Sequence, residues 1–260
     1  METTTASIYD FPNYYDLVFG SDTAAEMRFL KRCFEKYVSF PVARVFEPAC
    51  GTGRLIYRFG KQGYEVGGID LNLKAVEFCN QRLEKHSIEG RALHGDMSDF
   101  EVAEPYDACF NTINSFRHLH SQSAAVGHLR CAARSIKLGG IYALGLHLTP
   151  TEGEAIDTEA FSVSRGHLTI NTDMWPIEKL PKKRMERFGI RFDIYSPTRS
   201  FRIDDVLELR SYTAAQFRQL LKAAPEWELV ELFDFHYDIR RPIQLDAETQ
   251  DIVAILRRVA

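Results

Sequence analysis

The feature that most constrains this chain is an apolar segment that runs into an acidic residue and then into a glycine-rich turn. The segment is Val45-Phe46-Glu47-Pro48-Ala49-Cys50-Gly51-Thr52-Gly53-Arg54-Leu55. Gly51 and Gly53 allow a sharp turn and a close approach of the backbone to a ligand, because glycine has no Cβ. We expect a helix to follow directly, to about residue 61, with its free N–H groups and the positive end of its dipole directed at that ligand. In an open α/β sheet, nucleotide-like ligands bind at such turns.

Two known phosphate-binding fingerprints do not fit this turn. The dinucleotide fingerprint G-x-G-x-x-G would need a third glycine at Ile56, and the P-loop would need Lys in place of Arg54. The remaining pattern, an acidic residue followed by x-x-x-G-x-G, resembles motif I of the class I S-adenosylmethionine-dependent methyltransferases. From this motif alone, a glycine-rich turn without a ligand stays open as the alternative.

A second candidate site is the acidic residue that ends the next predicted strand, 64–71. A carboxylate at the tip of the neighbouring parallel strand can accept hydrogen bonds from both hydroxyls of a ribose, so Asp70 is the candidate ribose ligand. The structural alternative is a cap for the predicted helix 73–86, although Asn72 could cap that helix equally well.

A third candidate site follows the predicted strand 92–94 and reads Gly95-Asp96-Met97. The methyltransferase family carries G-D-M or G-D-A at this point. The resemblance implies that Asp96 binds the adenine amino group and that the Met97 N–H meets a ring nitrogen. An ordinary acidic turn is the alternative, and the order and spacing of the three motifs weaken it.

The fourth site follows the predicted strand 106–111, where Asn114-Ser115-x-x-His118-Leu119 resembles glycine N-methyltransferase and bacterial small-molecule methyltransferases. Enzymes that methylate amino groups of nucleic acids place Asp/Asn-Pro-Pro-aromatic here. Its absence argues against a flipped base as the substrate. The full set of cofactor-binding residues implied by the resemblance is Tyr15, Glu47, Ala49, Gly51, Gly53, Asp70, Leu71, Asp96, Met97, Asn111 and Ile113.

The N-terminal region is predicted to hold a lid. We expect residues 1–12 to be frayed and a helix, capped by Ser21 or Asp22, to extend to about Val38. Tyr14 and Tyr15 either pack on the core or close over the cofactor, as a Tyr-Asp segment does in many small-molecule methyltransferases. An aromatic face suits a sulfonium cation.

Alternation of strands and helices predicts a doubly wound α/β sheet that is mostly parallel, and the resemblance implies that it is of the Rossmann-like methyltransferase type. A helix over 123–136 should end at Lys137-Leu138-Gly139-Gly140, followed by a strand over 141–148. Thr213 should cap a helix over 214–223. The last two strands are predicted at 227–235 and 252–257, and a helix over 247–258 is the rival assignment. The resemblance favours the strand and implies that it lies antiparallel between the strands at 141–148 and 227–235.

Residues 151–212 predict an inserted antiparallel β cap. The segments 161–164 and 167–171 read as a hairpin around Arg165-Gly166, and 187–196 and 200–210 read as two further strands. The basic run 181–184 is interpreted as a solvated loop. The predicted division is therefore 1–40 as lid and helix, 41–150 as cofactor-binding core, 151–212 as cap, and 213–260 as completion of the core sheet.

Methyl transfer from a sulfonium needs alignment of donor and acceptor, and it needs a base only if the acceptor arrives protonated. His118 is the first candidate base and His147 the second, and a structural role is the alternative for both. His118 and His120 could be read as a metal pair, but no supporting ligand lies nearby in sequence, and we predict no metal. The predicted acceptor-binding residues are Asn114, His118, Trp175, Tyr195, Arg210 and Tyr212.

The composition limits the classes of partner and the location that we expect for this protein. The net charge of −4 gives no attraction to nucleic acid or anionic lipid, and no apolar run approaches the length of a membrane helix. Five dispersed cysteines without a C-x-x-C pair and a polar N-terminus without a visible secretory signal indicate reduced thiols and a cytoplasmic location. We predict an S-adenosylmethionine-dependent methyltransferase that acts on nitrogen or oxygen of a small molecule, with a possible homodimer through the cap. A nucleotide-binding dehydrogenase and a non-catalytic binding protein are the alternatives.

Overall fold

Two β-sheets and the helices around them make up the protein. A computed structural model describes residues 1–20, 23–153 and 158–260. The strands in chain order are β1 Glu2–Thr5, β2 Arg44–Pro48, β3 Glu65–Asp70, β4 Gly90–His94, β5 Tyr106–Asn111, β6 Ile136–His147, β7 Glu159–Arg165, β8 Leu168–Leu180, β9 Met185–Tyr195, β10 Ser200–Arg210, β11 Trp227–Phe233 and β12 Asp251–Arg258. The helices are α1 Pro12–Phe19, α2 Ala24–Tyr37, α3 Ile56–Gly60, α4 Leu73–Lys85, α5 Gln122–Ser135 and α6 Ala214–Lys222.

The larger sheet has the order β11-β12-β6-β5-β2-β3-β4. Its central pairs are parallel, and β12 runs antiparallel between β6 and β11. Helices α2, α3 and α4 contribute to the core on one face, and α5 and α6 contribute to the core on the other. The predicted doubly wound α/β fold with an antiparallel last strand is confirmed.

The rival helix at the C-terminus is wrong, and burial on both faces explains why it looked plausible. In β12, Ile252 and Ala254 join one core cluster, and Val253 and Ile255 join the other. A strand that is buried on both sides is apolar at every position, so its sequence lacks the alternation that distinguishes a strand from a helix.

The smaller sheet has the order β1-β10-β9-β8-β7 and forms the cap. The predicted hairpin is present as β7 and β8, and Gly166 takes a positive φ of 60° in its turn. Ile190, Phe192 and Ile194 of β9 are buried on one face, as their alternation predicts. The basic run that follows β8 exposes Lys182 and Lys183 to solvent, as expected of a solvated loop.

The prediction that residues 1–12 are frayed is wrong. Strand β1 pairs in parallel with β10 at the edge of the cap sheet. The Ile8 N–H then donates to Asp205 Oδ2 at 2.9 Å, and the Ile8 side chain is 1% exposed. A short polar edge strand, Glu-Thr-Thr-Thr, has no apolar alternation, so nothing in the local sequence indicates this pairing.

The start of α3 and the junction of α5 with β6 also differ from the prediction. Residues 51–55 form a turn, and α3 covers only five residues from Ile56. Helix α5 ends at Ser135, and residues 136–140 begin β6 instead of forming a glycine C-cap, because buried Ile136 pairs with Tyr106 of β5. The caps predicted for α2 at positions 21 and 22 lie outside the described residues.

Two other predicted helix caps are confirmed. The Asn72 side chain accepts a hydrogen bond from the Ala75 N–H at the start of α4. Thr213 and Gln216 form a capping box at the start of α6, in which each side chain accepts from the other residue's backbone. Because Asn72 caps α4, the carboxylate of Asp70 is left for another role.

The N-terminal segment should contribute strongly to stability. Replacing Ile8 by Ala removes a fully buried side chain, so we expect the free energy of unfolding to fall by about 2–4 kcal/mol. Val206 of β10 is 42% exposed, and Val206→Ala is the control, with an expected change of about 0.5 kcal/mol or less. Urea unfolding measures both. Equal losses in the two variants would contradict the anchored N-terminus.

Candidate active site

Two cavities open where the parallel strands end. The first, here called the strand-tip cavity, has a volume of about 780 Å³ and is lined by the glycine turn, the end of β3 and residues 95–98. The second, here called the cap cavity, has a volume of about 450 Å³ and lies between the end of β6, the loop after β5 and the cap strands. The two cavities share Tyr9, Tyr15, Ser115 and His118.

The glycine turn is built around a left-handed backbone. Gly51 and Gly53 have φ values of 53° and 73°, and Ala49 also has a positive φ of 53°. A Cβ on Gly53 would lie 2.3 Å from Cys79 Sγ of α4, so only glycine allows the turn to pack there. Near Gly51, by contrast, the closest atom to such a Cβ is Asp70 Oδ2 at 4.0 Å, and Gly51 lines the strand-tip cavity.

Asp70 joins the glycine turn to the end of β3. Its Oδ2 accepts from the Gly51 N–H at 2.7 Å, and its Oδ1 accepts from the Asn72 N–H at 2.8 Å. Burial raises the pKa of Asp70, and the two N–H donors oppose that rise. Each carboxylate oxygen can accept a further hydrogen bond, so the pair of oxygens suits the two hydroxyls of a ribose.

The loop after β4 is held from behind by a buried histidine. His128 Nδ1 lies 2.9 Å from the Met97 carbonyl oxygen, which can only accept, so Nδ1 carries the proton. His128 Nε2 then accepts from the Tyr142 hydroxyl at 2.8 Å. Asp96 Oδ1 accepts from the Ser98 N–H at 2.7 Å. Asp96 and Met97 both line the strand-tip cavity, as the predicted adenine site requires.

Helix α1 places Tyr15 between the two cavities. Its ring lies 4.7 Å from the Phe19 ring and 5.3 Å from the Tyr9 ring, and burial raises the pKa of Tyr15 to about 12. Asp16, the next residue, accepts from the Thr52 hydroxyl at 3.0 Å and pairs with Arg82. The packing and lid interpretations of Tyr15 are therefore compatible, since the helix that packs on the turn also lines both cavities.

The remaining predicted cofactor-binding residues do not line the strand-tip cavity. Glu47 is buried, and burial raises its pKa well above the usual range, opposed by the charge of Arg54. Asn111 is buried and donates to the Pro48 carbonyl at 2.7 Å. Gly53 packs against α4, and Ile113 lines the cap cavity instead. The residues that do line the strand-tip cavity are Tyr15, Ala49, Gly51, Asp70, Leu71, Asp96 and Met97.

The charge of the strand-tip cavity distinguishes between ligand classes. Among the described residues, its lining includes the carboxylates of Asp10, Asp70 and Asp96 and no lysine or arginine. A dinucleotide carries a pyrophosphate that such a lining would repel. A nucleoside that bears a sulfonium and an amino acid has no phosphate, and its positive charges match the carboxylates. The donors and acceptors present therefore fit S-adenosylmethionine.

The cap cavity combines polar groups with an apolar wall. His118, His147 and Asn114 line it from the core, and Phe188 and Leu209 line it from the cap. A buried ion pair joins the loop after β5 to the cap strand β9, since the guanidinium of Arg117 contacts the Glu186 carboxylate. The same carboxylate accepts from the Thr149 hydroxyl at 2.9 Å.

Four of the predicted acceptor-binding residues lie away from both cavities. Met174 and Leu209 line the cap cavity, and successive side chains of a strand point to opposite faces, so Trp175 and Arg210 turn away from it. Trp175 packs over Gly189 and under Arg191. Arg210 donates to the His120 carbonyl, Tyr195 is 37% exposed, and Tyr212 is fully buried beside Phe116.

Sequence reasoning missed several residues that line these cavities. Tyr9 lies in the segment that we expected to be frayed, and its hydroxyl is 2.9 Å from His118 Nε2. Arg117 and Glu186 meet only because the cap packs on the loop after β5. Asp251 reaches the cap cavity because its strand position pairs with His147. The aromatic neighbours of Tyr9 are the one local signal that could have indicated any of these residues.

The described residues contain neither a cluster suited to a metal ion nor a membrane-spanning helix. No group of three or more His, Cys, Asp or Glu side chains within residues 1–20, 23–153 and 158–260 is arranged to hold a metal ion. In that same part of the chain, no helix is long and apolar enough to cross a membrane.

Comparison with known proteins agrees with this geometry. Residues 45–140 match the family model described as methyltransferase domain. The putative methyltransferase YqeM of Bacillus subtilis is 22% identical over 180 residues, which are 69% of this chain and 71% of the relative. The region that carries the four motifs is therefore similar to a methyltransferase domain.

Solved structures extend the similarity to the whole chain. An S-adenosylmethionine-dependent methyltransferase from Clostridium acetobutylicum superposes with a TM-score of 0.77 at 15% identity, covering 96% of this chain and 98% of the other. The sugar N-methyltransferase KedS8 from Streptoalloteichus superposes with a TM-score of 0.72 at 18% identity, covering 98% and 94%. The fold is that of the class I methyltransferases, cap included.

The Asp70 carboxylate should be decisive for cofactor affinity. Asp70→Asn keeps one acceptor oxygen but loses the charge, so we expect the Kd for S-adenosylhomocysteine to rise by about 10-fold to 100-fold. Isothermal titration measures the Kd. Asp99→Asn, at an exposed position outside the cavity, is the control and should leave the Kd unchanged. An unaltered Kd in Asp70→Asn would exclude the ribose role.

The buried His128 should make the protein sensitive to acid. Burial lowers the pKa of His128 to about 4, although the hydrogen bond to Met97 opposes the shift. The imidazole of His128 therefore takes up a proton near pH 6.5 in the unfolded chain but only near pH 4 in the folded chain. Stability from this group is complete above pH 6.5 and falls by about 1.4 kcal/mol per pH unit below it, roughly 3 kcal/mol in total.

Urea unfolding between pH 7 and pH 4 tests this dependence. His128→Gln should flatten the fall in stability relative to the original protein, even if it lowers stability at pH 7. His167→Gln, at an exposed position in the cap hairpin, should keep the original slope. Identical slopes in all three proteins would show that His128 titrates normally.

Proposed function

We propose that this chain is an S-adenosylmethionine-dependent methyltransferase that methylates a small molecule at nitrogen or oxygen, with an amine as the favoured acceptor. The observation that carries this proposal is the meeting of two cavities at Tyr9, Tyr15 and His118. One cavity lies at the strand tips of a methyltransferase domain. The other lies under the cap and has the volume of a small-molecule site.

The residues of the strand-tip cavity have separate tasks toward the cofactor. Asp70 would hold the ribose, and Asp96 with the backbone of Met97 would hold the adenine. The turn at Gly51 would accommodate the amino-acid end, and Tyr15 would lie near the sulfonium. When bound, S-adenosylmethionine supplies a methyl group that is activated by the positive charge on sulfur.

The protein's own contribution is alignment and exclusion of water. Residues 7–10 and helix α1 line the two cavities from one side, and the cap strands line the cap cavity from the other. Alignment of two reactants in this way can contribute up to about 7–11 kcal/mol to the rate. A closed junction also prevents solvent from competing with the acceptor.

His118, the first candidate base, is poorly suited to take a proton. Burial lowers its pKa to about 4, with His120 and Arg117 adding to the shift. Its Nε2 is already occupied by the Tyr9 hydroxyl at 2.9 Å, and burial raises the pKa of Tyr9 well above the usual range. We propose that His118 holds Tyr9 in place at the junction.

The charges of the cap cavity support an amine acceptor. In the part of the chain that the structure describes, three carboxylates, Glu159, Glu186 and Asp251, line this cavity together with two cations, Arg117 and Lys179. Arg117 pairs with Glu186, so the carboxylates are in excess, and a carboxylate attracts the ammonium form of an amine. The structural similarity to KedS8, named as a sugar N-methyltransferase, agrees with this acceptor class. A dehydrogenase is not supported, because the strand-tip lining lacks a cation for a pyrophosphate and Ile56 is fully buried where a third glycine would be needed.

The predicted partners and location stay predictions. A homodimer through the cap would have to use its surface or its edge strands, β1 and β7. The arguments against nucleic acid as a partner are the net charge of −4 and the missing Asp/Asn-Pro-Pro-aromatic motif, and both come from the sequence. A cytoplasmic location rests on the sequence alone.

An acceptor screen tests the proposal. We expect the protein to release S-adenosylhomocysteine with amino sugars or other alkylamines, and mass spectrometry should locate the added methyl on nitrogen. Alcohols and phenols form the comparison set. Turnover confined to the hydroxyl acceptors would exclude the amine preference. Tight binding of S-adenosylhomocysteine with no turnover across the panel would contradict small-molecule methylation.

A further inference from the structure

We infer that His147 and Asp251 form a proton-accepting dyad in which His147 Nε2 takes the proton of the acceptor amine and Asp251 positions the imidazole. This inference rests on the proposed function, because it concerns an acceptor bound in the cap cavity. It assigns the base to a histidine on β6, and it adds a positioning residue 104 positions away in the sequence.

Strand pairing brings the two residues together. His147 ends β6 and Asp251 begins β12, and the two are direct partners in the antiparallel pair. His147 Nδ1 is hydrogen-bonded to an Asp251 carboxylate oxygen. Both residues line the cap cavity, so the dyad lies where an acceptor would bind.

The contacts of the ring determine which nitrogen is available. A carboxylate can only accept, so in the neutral ring the proton lies on Nδ1 and Nε2 keeps its lone pair. Among the residues that the structure describes, Nε2 has no hydrogen-bond partner, whereas His118 Nε2 is already bonded to Tyr9. The side chain of His147 is 37% exposed, so water can accept the proton from it after each cycle.

Two further contacts hold His147, one at its backbone and one at its ring. The His147 N–H donates to Asn114 Oδ1 at 3.0 Å, and Asn114 takes a left-handed φ of 54° at the start of the loop that lines the cavity. The ring stands nearly perpendicular to Phe235, with centroids 5.0 Å apart. An imidazole held by a carboxylate and an aromatic neighbour, on an anchored backbone, loses little orientational freedom when it reacts.

The chemistry requires such a group. An alkylammonium ion has no lone pair and cannot attack, so one N–H bond must break before transfer, and its proton goes to His147 Nε2. The nitrogen lone pair then forms the bond to the methyl carbon. The carbon–sulfur bond breaks with its electron pair staying on sulfur, which leaves a neutral thioether. The Asp251 carboxylate stabilises the imidazolium that results.

A purely structural role is the competing explanation, since the pair could simply tie β12 to β6. The two explanations differ in what they predict for the tautomer and for the type of acceptor affected. They also differ from a failure of the proposed function, because the tautomer can be measured without an acceptor.

The first measurement is ¹⁵N NMR of the imidazole nitrogens in the full-length protein with S-adenosylhomocysteine bound, at about pH 8, where an ordinary histidine is neutral. We expect His147 to show a protonated Nδ1 and an unprotonated Nε2. Asp251→Asn should lower the population of that tautomer, because an amide can donate to Nδ1. A proton on His147 Nε2 in the original protein would overturn the dyad, whether or not any acceptor is found.

The second measurement compares two acceptors of the same carbon skeleton, an alkylamine and an alkoxyamine, the latter being uncharged at neutral pH. His147→Gln and Asp251→Asn should lower kcat for the alkylamine by about 100-fold or more, with KM and the Kd for S-adenosylhomocysteine changed less than threefold. With the alkoxyamine, kcat should fall less than threefold.

A matched control is His236→Gln, an exposed histidine outside the cap cavity, which should leave both rates unchanged. Equal losses of kcat with the two acceptors would show a structural role and overturn the inference. If the original protein turns over neither acceptor, the proposed function fails on that ground, and the tautomer measurement alone decides on the dyad.

Discussion

The contact on which the rest of the site depends is the pair of hydrogen bonds that Asp70 accepts from the backbone of Gly51 and Asn72. Parallel pairing of β2 with β3 brings the two strand ends to the same edge of the sheet. The carboxylate then fixes the glycine turn from the neighbouring strand, while Asn72 takes over the capping of α4. The Asp70 side chain holds the glycine turn in place and also presents its oxygens to the strand-tip cavity. One residue therefore determines both the shape of the cavity and the hydrogen-bond acceptors in it.

A second constraint comes from the cap and the N-terminal segment, which convert an open strand edge into two adjoining cavities. Strand β1 pairs with the cap strand β10, and helix α1 is tied to the glycine turn through Asp16 and Thr52. The N-terminal segment that precedes β2 therefore lines both the strand-tip cavity and the cap cavity. A methyl donor and an acceptor must approach along one line, and a segment anchored at both ends can hold them there.

Local sequence was sufficient to predict the core and the strand-tip cavity, but it was insufficient to predict which residues line the cap cavity. The turn at Gly51, the acid at Asp70 and the loop at Asp96 are each defined within a few residues, and their order along the chain determines their arrangement. Trp175 and Arg210 show the limit, because the side that a strand residue faces depends on a register that no local pattern fixes. Tyr9 shows another limit, since its position depends on a polar edge strand that pairs with a residue range about 200 positions away.

The two candidate bases, His118 and His147, also differ in how far local sequence indicates their role. His118 belongs to the fourth sequence motif, yet burial lowers its pKa to about 4 and the Tyr9 hydroxyl occupies its Nε2. His147 belongs to no motif, and its partner Asp251 is reached only through the pairing of β6 with β12. A base needs an available lone pair and a nearby group that stabilises its charged form. Within the described ranges, His147 has a free Nε2 and a carboxylate bonded to its ring, whereas the Nε2 of His118 is bonded to Tyr9 and its pKa is lowered by burial. The inferred role of each histidine therefore follows from its environment and not from its proximity to a motif.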